Sequence, residues 1–373
     1  MIAAFPRHTQ AETVSVAVDS GDPKTFPLPP SPFFLFPFDF LHRKETMSLD
    51  RYIRQVRYPP LGETGQQRLA AGCALVCGCG ALGSTLANLL VRAGVGRVRI
   101  VDRDFVDLTN LQRQALFDEQ DVAAGLPKAI AAAEKLRRIN SEVQIEPVVA
   151  DINPSNIESL CEGVQVIVDG TDNFETRFLI NDAAVKHGIP WVYGGCLGAE
   201  GQTLTILPGE TPCLRCLMED CPPPGAVPTC DTAGIVGPIV GVIASIEAME
   251  AIKILSGNRQ AVSRDWVIVD LWSNRIRQVN AVSLRDERDC PACKRREFPW
   301  LAGREGSRSA VLCGRNAVQL TFAGASVSLE DLARKLAAVG QVTRNQFLVR
   351  LKVDQYELTV FPDGRAPAFE ERG

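Results

Sequence analysis

A chain of 373 residues with 46% apolar and 23% charged residues has the length for two or three folded units and is too apolar for wholesale disorder. The 40 Lys and Arg against 44 Asp and Glu leave a formal charge of −4, which argues against nucleic acid or an anionic membrane as the main partner. The long apolar stretch from Ile235 to Ile246 ends at Glu247, short of the roughly 18–20 residues that span a bilayer, so no membrane segment is expected.

Residues 1–46 hold 7 of the 24 prolines and 7 of the 16 phenylalanines and show neither helical nor strand periodicity, which predicts an unstructured extension. Met47, just before the first helix-like sequence, is an alternative start. The N-terminus lacks a basic segment, a clean apolar stretch and a small-residue cleavage site, so a reducing cytoplasm is the expected compartment. From Cys73 the pattern alternates. Strands are predicted at 73–77, 98–101, 143–149, 164–168 and 191–193, with helices at 82–93, 128–139 and 174–187 between them. Such alternation predicts a Rossmann-like, doubly wound α/β fold with a mostly parallel sheet. An added β-rich part follows, with strands at 202–207, 266–270 and 276–284, a Cys/Pro-rich loop at 212–230 and a long apolar helix over 233–255. A strand at 317–322, a helix at 329–338 and a hairpin over 346–361 predict a small C-terminal α+β appendage. The expected division is thus an extension over 1–46, a main domain over 47–300 and the appendage over 301–373.

Gly78, Gly80 and Gly83 lie between the strand at 73–77 and the helix after it. There, glycines let backbone amides approach a phosphate, and the helix N-terminus favours negative charge. Asp102 ends the next strand, 19 residues beyond Gly83, where a carboxylate accepts hydrogen bonds from ribose hydroxyls. Taken alone, this pattern reads as a dinucleotide site, and an NAD-dependent oxidoreductase is the first rival.

Cys213-Leu-Arg-Cys216 and Cys290-Pro-Ala-Cys293 are separated by 73 intervening residues. Each pair offers two thiolates to one tetrahedral zinc ion, and four sulfurs leave no position for water, so the expected metal is structural. Cys221 is a spare thiol nearby. Cys73, Cys77, Cys79, Cys161, Cys196 and Cys313 read as small core or turn residues.

The run Val101-Asp-Arg-Asp-Phe-Val-Asp-Leu-Thr-Asn-Leu-Gln-Arg-Gln114, then Gly125-Leu-Pro-Lys128 and Gly170-Thr-Asp-Asn173, resembles the ThiF/MoeB/HesA family, bacterial relatives of ubiquitin-activating enzymes. The resemblance extends from Arg51-Tyr-Ile-Arg-Gln55 to about Cys293 and includes Thr229-Cys-Asp-Thr-Ala-Gly-Ile-Val-Gly-Pro238 and Glu250-Ala-Ile-Lys-Ile-Leu255. The stretch after Thr229, with Cys313-Gly-Arg-Asn-Ala-Val-Gln319, looks closest to the ThiF side.

This resemblance implies ATP-dependent adenylation of the C-terminal Gly carboxylate of a ubiquitin-like sulfur carrier, ThiS- or MoaD-like and ending in Gly-Gly, in thiamine or molybdopterin biosynthesis. It assigns Asp102 to the ribose, Asn110, Arg113 and Lys128 to the phosphates, and Asp172 to magnesium. Gln114 and Asn173 are supporting residues, with turn capping as their alternative role. Arg54 matches the arginine that reaches the nucleotide of a neighbouring subunit, which implies a homodimer; a solvated helix-surface arginine is the alternative. Cys230, just before the long apolar helix, matches the cysteine that becomes covalently linked to the carrier during sulfur transfer. No sulfurtransferase domain is evident, so the sulfur donor is expected to be a separate protein. The other rival is an inert scaffold that binds a ubiquitin-like partner.

Overall fold

The computed structural model describes residues 49–223, 226–306, 311–312, 317–321, 327–361 and 365–370. The extension expected over 1–46, and Cys313, lie outside the described residues.

Eight strands form the first sheet: β1 Cys73–Cys77, β2 Arg97–Val101, β3 Gln144–Val148, β4 Val166–Asp169, β5 Trp191–Leu197, β6 Glu200–Ile206, β7 Asp265–Asp270 and β8 Arg275–Asn280. Their order is β3-β2-β1-β4-β5-β6-β7-β8. The first five are parallel to one another, and β6 to β8 continue antiparallel, which makes the β-rich edge. Alternation along the strands feeds two cores. Ala74 and Val76 of β1, Val98 and Ile100 of β2 and Val166 and Val168 of β4 enter one. Cys73, Leu75 and Cys77 of β1, with Ile167 of β4, enter the other. Both faces of the parallel part are therefore covered, as a sheet with apolar residues on both sides requires.

Helices α1 Ile53–Val56 and α2 Gly62–Ala71 precede β1, and α3 Ala81–Ala93, α4 Glu119–Ala124 and α5 Lys128–Ile139 lie between β1 and β3. Leu82, Leu86 and Leu90 fall on one stripe of α3 and are buried in the first core. Helices α6 Ile157–Leu160 and α7 Phe174–His187 flank β4 and cover the opposite face. Asn173 caps α7 by accepting the Thr176 amide, and Gly188 at φ 67 ends it.

After β6 come α8 Leu214–Leu217, α9 Cys230–Ala233 and α10 Gly237–Leu255. The single helix expected over 233–255 is thus two pieces. Gly234 leaves the helical region at φ 76, and Pro238 stands in the first turn of α10, where its missing N–H costs nothing. The strand expected over 276–284 also divides: β8 stops at Asn280, whose side chain accepts the Val282 amide, and α11 Val282–Glu287 follows.

The appendage contains β9 Val311–Leu312, β10 Ala317–Thr321, α12 Leu329–Leu336, β11 Gln341–Arg344, β12 Val349–Val353, β13 Tyr356–Val360 and β14 Arg365–Glu370. Its strands form an antiparallel sheet in the order β11-β12-β13-β14-β10-β9. Asp354, at φ 48, makes the β12–β13 turn, and Leu348, Val349, Leu351, Val360 and Phe361 are buried.

Candidate functional site

β1 lies between β2 and β4, so the chain crosses over in opposite directions from neighbouring strands and opens a crevice at their C-terminal ends. Gly78 follows β1 and Gly170 follows β4, and both amides continue the ladder, to Val101 O at 2.8 Å and Cys77 O at 2.7 Å. Gly78 has φ +84, and a Cβ there would stand 2.6 Å from Gly170 O. A Cβ on Gly83 would fall onto the Gly78 carbonyl. Gly80 differs: a Cβ there would meet only Gln114 Nε2, at 3.9 Å. The space beside the Gly80 backbone is thus open to a ligand drawn up to it.

Asp102 closes the far side of this loop. One carboxylate oxygen accepts the Cys79 amide at 2.6 Å and the other accepts the Asp104 amide at 2.6 Å. Burial, with the neighbouring Asp104 charge, raises its pKa to about 6 against the opposing pull of Lys128 and the two amides. The side chain is therefore largely ionised at neutral pH, with spare acceptor capacity.

Lys128 starts α5 beside it. Its Nζ lies 3.2 Å from Asp104 Oδ2, and its amide donates to Asp104 O at 2.8 Å. Burial opposes the ammonium charge, but Asp104, Asp102 and Asp172 together hold its pKa above the ordinary lysine value. Asp172 is exposed in the turn between β4 and α7, close enough for its charge to act on Arg103, Lys128 and Arg177. Arg103 forms an ion pair with Asp151 at 3.0 Å. Two cations and an exposed carboxylate thus converge at the sheet edge, a donor set that suits a polyphosphate and a hard divalent cation.

Asn110 and Gln114 are buried, and Asn110 Oδ1 and Gln114 Oε1 have no hydrogen-bond partner among the described residues. Such an unmet acceptor costs about 1–3 kcal/mol, which a bound donor would recover. Gln114 therefore does not act as a turn cap, whereas Asn173 does cap α7. Arg113 is half-buried, its guanidinium donating to Thr109 O at 2.9 Å. Gly237, at the start of α10, approaches this segment so closely that a Cβ would stand 3.0 Å from Gln112 O. The chain just after Cys230 hence returns to the site. Cys230 is the first residue of a one-turn helix rather than, as expected, a residue just ahead of a long one. Its side chain lies outside the described residues.

Arg54 is exposed on α1 and is not brought into this crevice. Its neighbour Gln55 donates to Ala93 O at 2.9 Å, at the C-terminal end of α3. The glycine loop is at the N-terminal end of the same helix, about 18 Å away by helical rise. Arg54 therefore lies toward the end of α3 opposite the loop.

Three side chains not anticipated from the sequence support the Asp172 turn. Buried Arg177 of α7 pairs with Asp169 at 3.3 Å and donates to Thr171 O at 2.7 Å and Gly194 O at 2.9 Å. Gly194 leaves room for the carboxyl group of Glu247 on α10. Burial and the Asp169 charge push the Glu247 carboxyl well above the usual carboxylate range. The signal was faint, because an arginine on a helix ordinarily reads as solvated.

Cys213, Cys216, Cys290 and Cys293 bring their sulfurs within 4.8 Å of one another. Sγ separations are 3.9 Å for Cys213–Cys216, 3.6 Å for Cys213–Cys290 and 3.4 Å for Cys216–Cys293. A zinc tetrahedron with bonds near 2.3 Å has edges of about 3.8 Å, so four thiolates here fit that ion. The other described thiols form no disulfide; burial raises the pKa values of Cys77 and Cys79, and Cys161 reaches about 11. Among the described residues no helix is long and apolar enough to cross a membrane.

The chain is 45% identical over 319 residues to the Bacillus subtilis sulfur carrier protein ThiS adenylyltransferase, covering 85% of this chain and 93% of that one. It is 39% identical over 249 residues to the Haloferax volcanii SAMP-activating enzyme E1, covering 67% and 90%. Among solved structures, E. coli MccB shares the fold at a TM-score of 0.56 and 22% identity, over 65% of this chain and 71% of that one. The family model described as "ThiF family" matches residues 52–292, a span that runs from just before α1 to one residue short of Cys293 and takes in the whole crevice. On that match the chain belongs to the ThiF family.

Proposed function

We propose that this enzyme uses ATP to adenylate the C-terminal glycine carboxylate of a ubiquitin-like sulfur carrier, preparing it for thiocarboxylate formation. The observation that carries the reading is the convergence of Asp102, Lys128 and Asp172 beside the glycine loop, in a chain 45% identical to a ThiS adenylyltransferase. An NAD-dependent oxidoreductase would have no use for that gathering of cations and an exposed carboxylate, and an inert scaffold would have no need to keep it.

The chemistry follows from charge. A terminal carboxylate with a pKa near 3.5 is ionised at pH 7, so no general base is required. Its oxygen attacks the α-phosphorus, the bond to the β-phosphate oxygen breaks, and pyrophosphate leaves with that electron pair. Gly78, Gly80 and Gly83 present backbone to the phosphates, Asp102 receives the ribose hydroxyls, and Lys128, Arg113 and Asn110 offset charge as the anion approaches. Asp172 would hold Mg2+, which supplies further neutralisation of the phosphates when bound. Gln114 and Asn173 shape the pocket, the latter through α7. Cys230 is the candidate for a covalent link to the carrier in the following sulfur transfer, with a separate sulfur donor.

Zn2+ held by the four cysteines would tie the chain after β6 to the chain after α11, a structural role consistent with a reducing, cytoplasmic setting. A homodimer completes the site: Arg54, carried toward the end of α3 opposite its own loop, serves the partner's phosphates as an arginine finger. Apolar Val236 and Met249, at and along α10, are exposed and offer part of such an interface. The direct test is intact-mass detection of a carrier–AMP adduct after incubation with ATP, magnesium and a carrier ending in Gly-Gly. No adduct from a carrier that binds the enzyme would refute the assignment.

A further inference from the structure

The appendage meets the main domain at the nucleotide crevice. Phe361, buried just after β13, stacks on Phe105 with ring centroids 5.5 Å apart and planes at 27°. Asn345, between β11 and β12, donates from Nδ2 to Gly125 O at 3.2 Å. Its Oδ1 accepts the Phe347 and Leu348 amides at 2.8 and 3.0 Å, which fixes the side chain in that direction.

The first contact falls on one short ribbon and the second on Gly125, the residue just before its second arm. Phe105 forms an antiparallel bridge with Pro127, the Val106 amide donates to Leu126 O at 3.3 Å and the Lys128 amide donates to Asp104 O at 2.8 Å. The ribbon therefore comprises residues 104–106 against 126–128, and Asp104 and Lys128 form its end nearest Asp102. The ribbon belongs to the long crossover between β2 and α5 that also carries Asn110, Arg113 and Gln114; Val106 and Leu126 anchor it on the first core, while Phe105 and the Gly125 carbonyl are met by the appendage.

We propose that the C-terminal appendage is a positioning element for ATP: Phe361 and Asn345 brace the ribbon and, through it, hold Lys128 in place. Neither residue touches the nucleotide in this scheme; each acts through Phe105 or Gly125. Holding a charged group in place before the substrate arrives lowers the ordering cost of binding, so the effect should be concentrated on ATP rather than on the carrier. The proposal rests on the crevice being an ATP site.

The test compares Phe361→Ala, Asn345→Ala and the ring-preserving Phe361→Tyr with wild type in carrier-dependent pyrophosphate exchange and in equilibrium binding of a non-hydrolysable ATP analogue. Phe361→Ala should raise the KM for ATP and the analogue Kd by about tenfold, the size of a typical contact coupling. Asn345→Ala should act in the same direction, Phe361→Tyr should behave as wild type, and the carrier KM and zinc content should not change. In a Phe105→Ala background, Phe361→Ala should add almost nothing. An unchanged ATP KM in Phe361→Ala, whether or not the appendage remains folded, would overturn the proposal. So would an undiminished effect in the Phe105→Ala background. Failure of the wild-type chain to bind the analogue would instead sink the ATP site itself.

Discussion

Lys128 Nζ lies 3.2 Å from a carboxylate oxygen of Asp104, whose amide in turn donates to Asp102 at 2.6 Å. A cation is thereby held, charged, beside the residue proposed to take the ribose. Lys128→Ala should lower kcat/KM for adenylation by about 10²–10³-fold, the usual loss when one transition-state charge partner is removed. Asp104→Asn keeps the cation and should cost less than about tenfold. Steady-state pyrophosphate exchange measures both, and equal losses would show that the pair matters only as structure.

Asp102 sets a pH limit. Its folded pKa of about 6 exceeds the unfolded value near 3.9, so the folded state binds the proton more tightly between those values. The stability that this group contributes is complete below about pH 4, falls as pH rises to about 6 and is constant above that. Function runs the other way, because only the ionised carboxylate offers full acceptor capacity to ribose hydroxyls. The KM for ATP should rise as pH drops through about 6 and stay flat from 7 to 8. Asp102→Asn provides the baseline for the titration of ATP itself. Superimposable profiles for the two proteins would contradict the role.

The cysteine cluster predicts one tightly held zinc per chain. Chelation, or Cys216→Ser, should lower the melting temperature by several degrees, and added zinc should reverse the effect of the chelator only. Elemental analysis of protein purified without chelator gives the metal content directly, and the absence of zinc would refute the site.

Much of this architecture was legible because periodicity and punctuation agreed. Helices α5 and α7 begin and end where the pattern placed them, the latter between the Asn173 cap and Gly188. The misreadings have local causes. Gly234 and Pro238 announced a break, but the mostly apolar character of 233–255 masked it. β8 is exposed along its whole length, so no alternation marked where Asn280 ends the strand and α11 begins. The glycine loop and Asp102 could be picked out because each sits at a strand end with a recognisable neighbourhood, whereas Lys128 and Asp172 were expected from the family resemblance. The Arg177–Asp169 pair and Glu247 could not: the pair joins the end of β4 to the first turn of α7, Glu247 comes from the distant α10, and no spacing rule links them. β11 and β14 of the appendage are short and polar or proline-bearing, with no periodic signal.

Arg54 should act between subunits. Mixing Arg54→Ala and Asp172→Ala chains, each inactive alone, would create mixed dimers in which one site has an intact Asp172 and receives an intact Arg54. With random assembly of equal amounts, about a quarter of all sites should recover. No recovery despite demonstrated subunit exchange would place Arg54 outside the site.

The most direct measurement of the central claim is exchange of labelled pyrophosphate into ATP by wild-type and Asp172→Ala enzyme, with and without a carrier ending in Gly-Gly. The account predicts exchange only with wild-type enzyme plus carrier, and an Asp172→Ala variant that keeps its melting temperature and zinc but loses exchange. Near wild-type exchange in the variant, or exchange that does not need the carrier carboxylate, would contradict it.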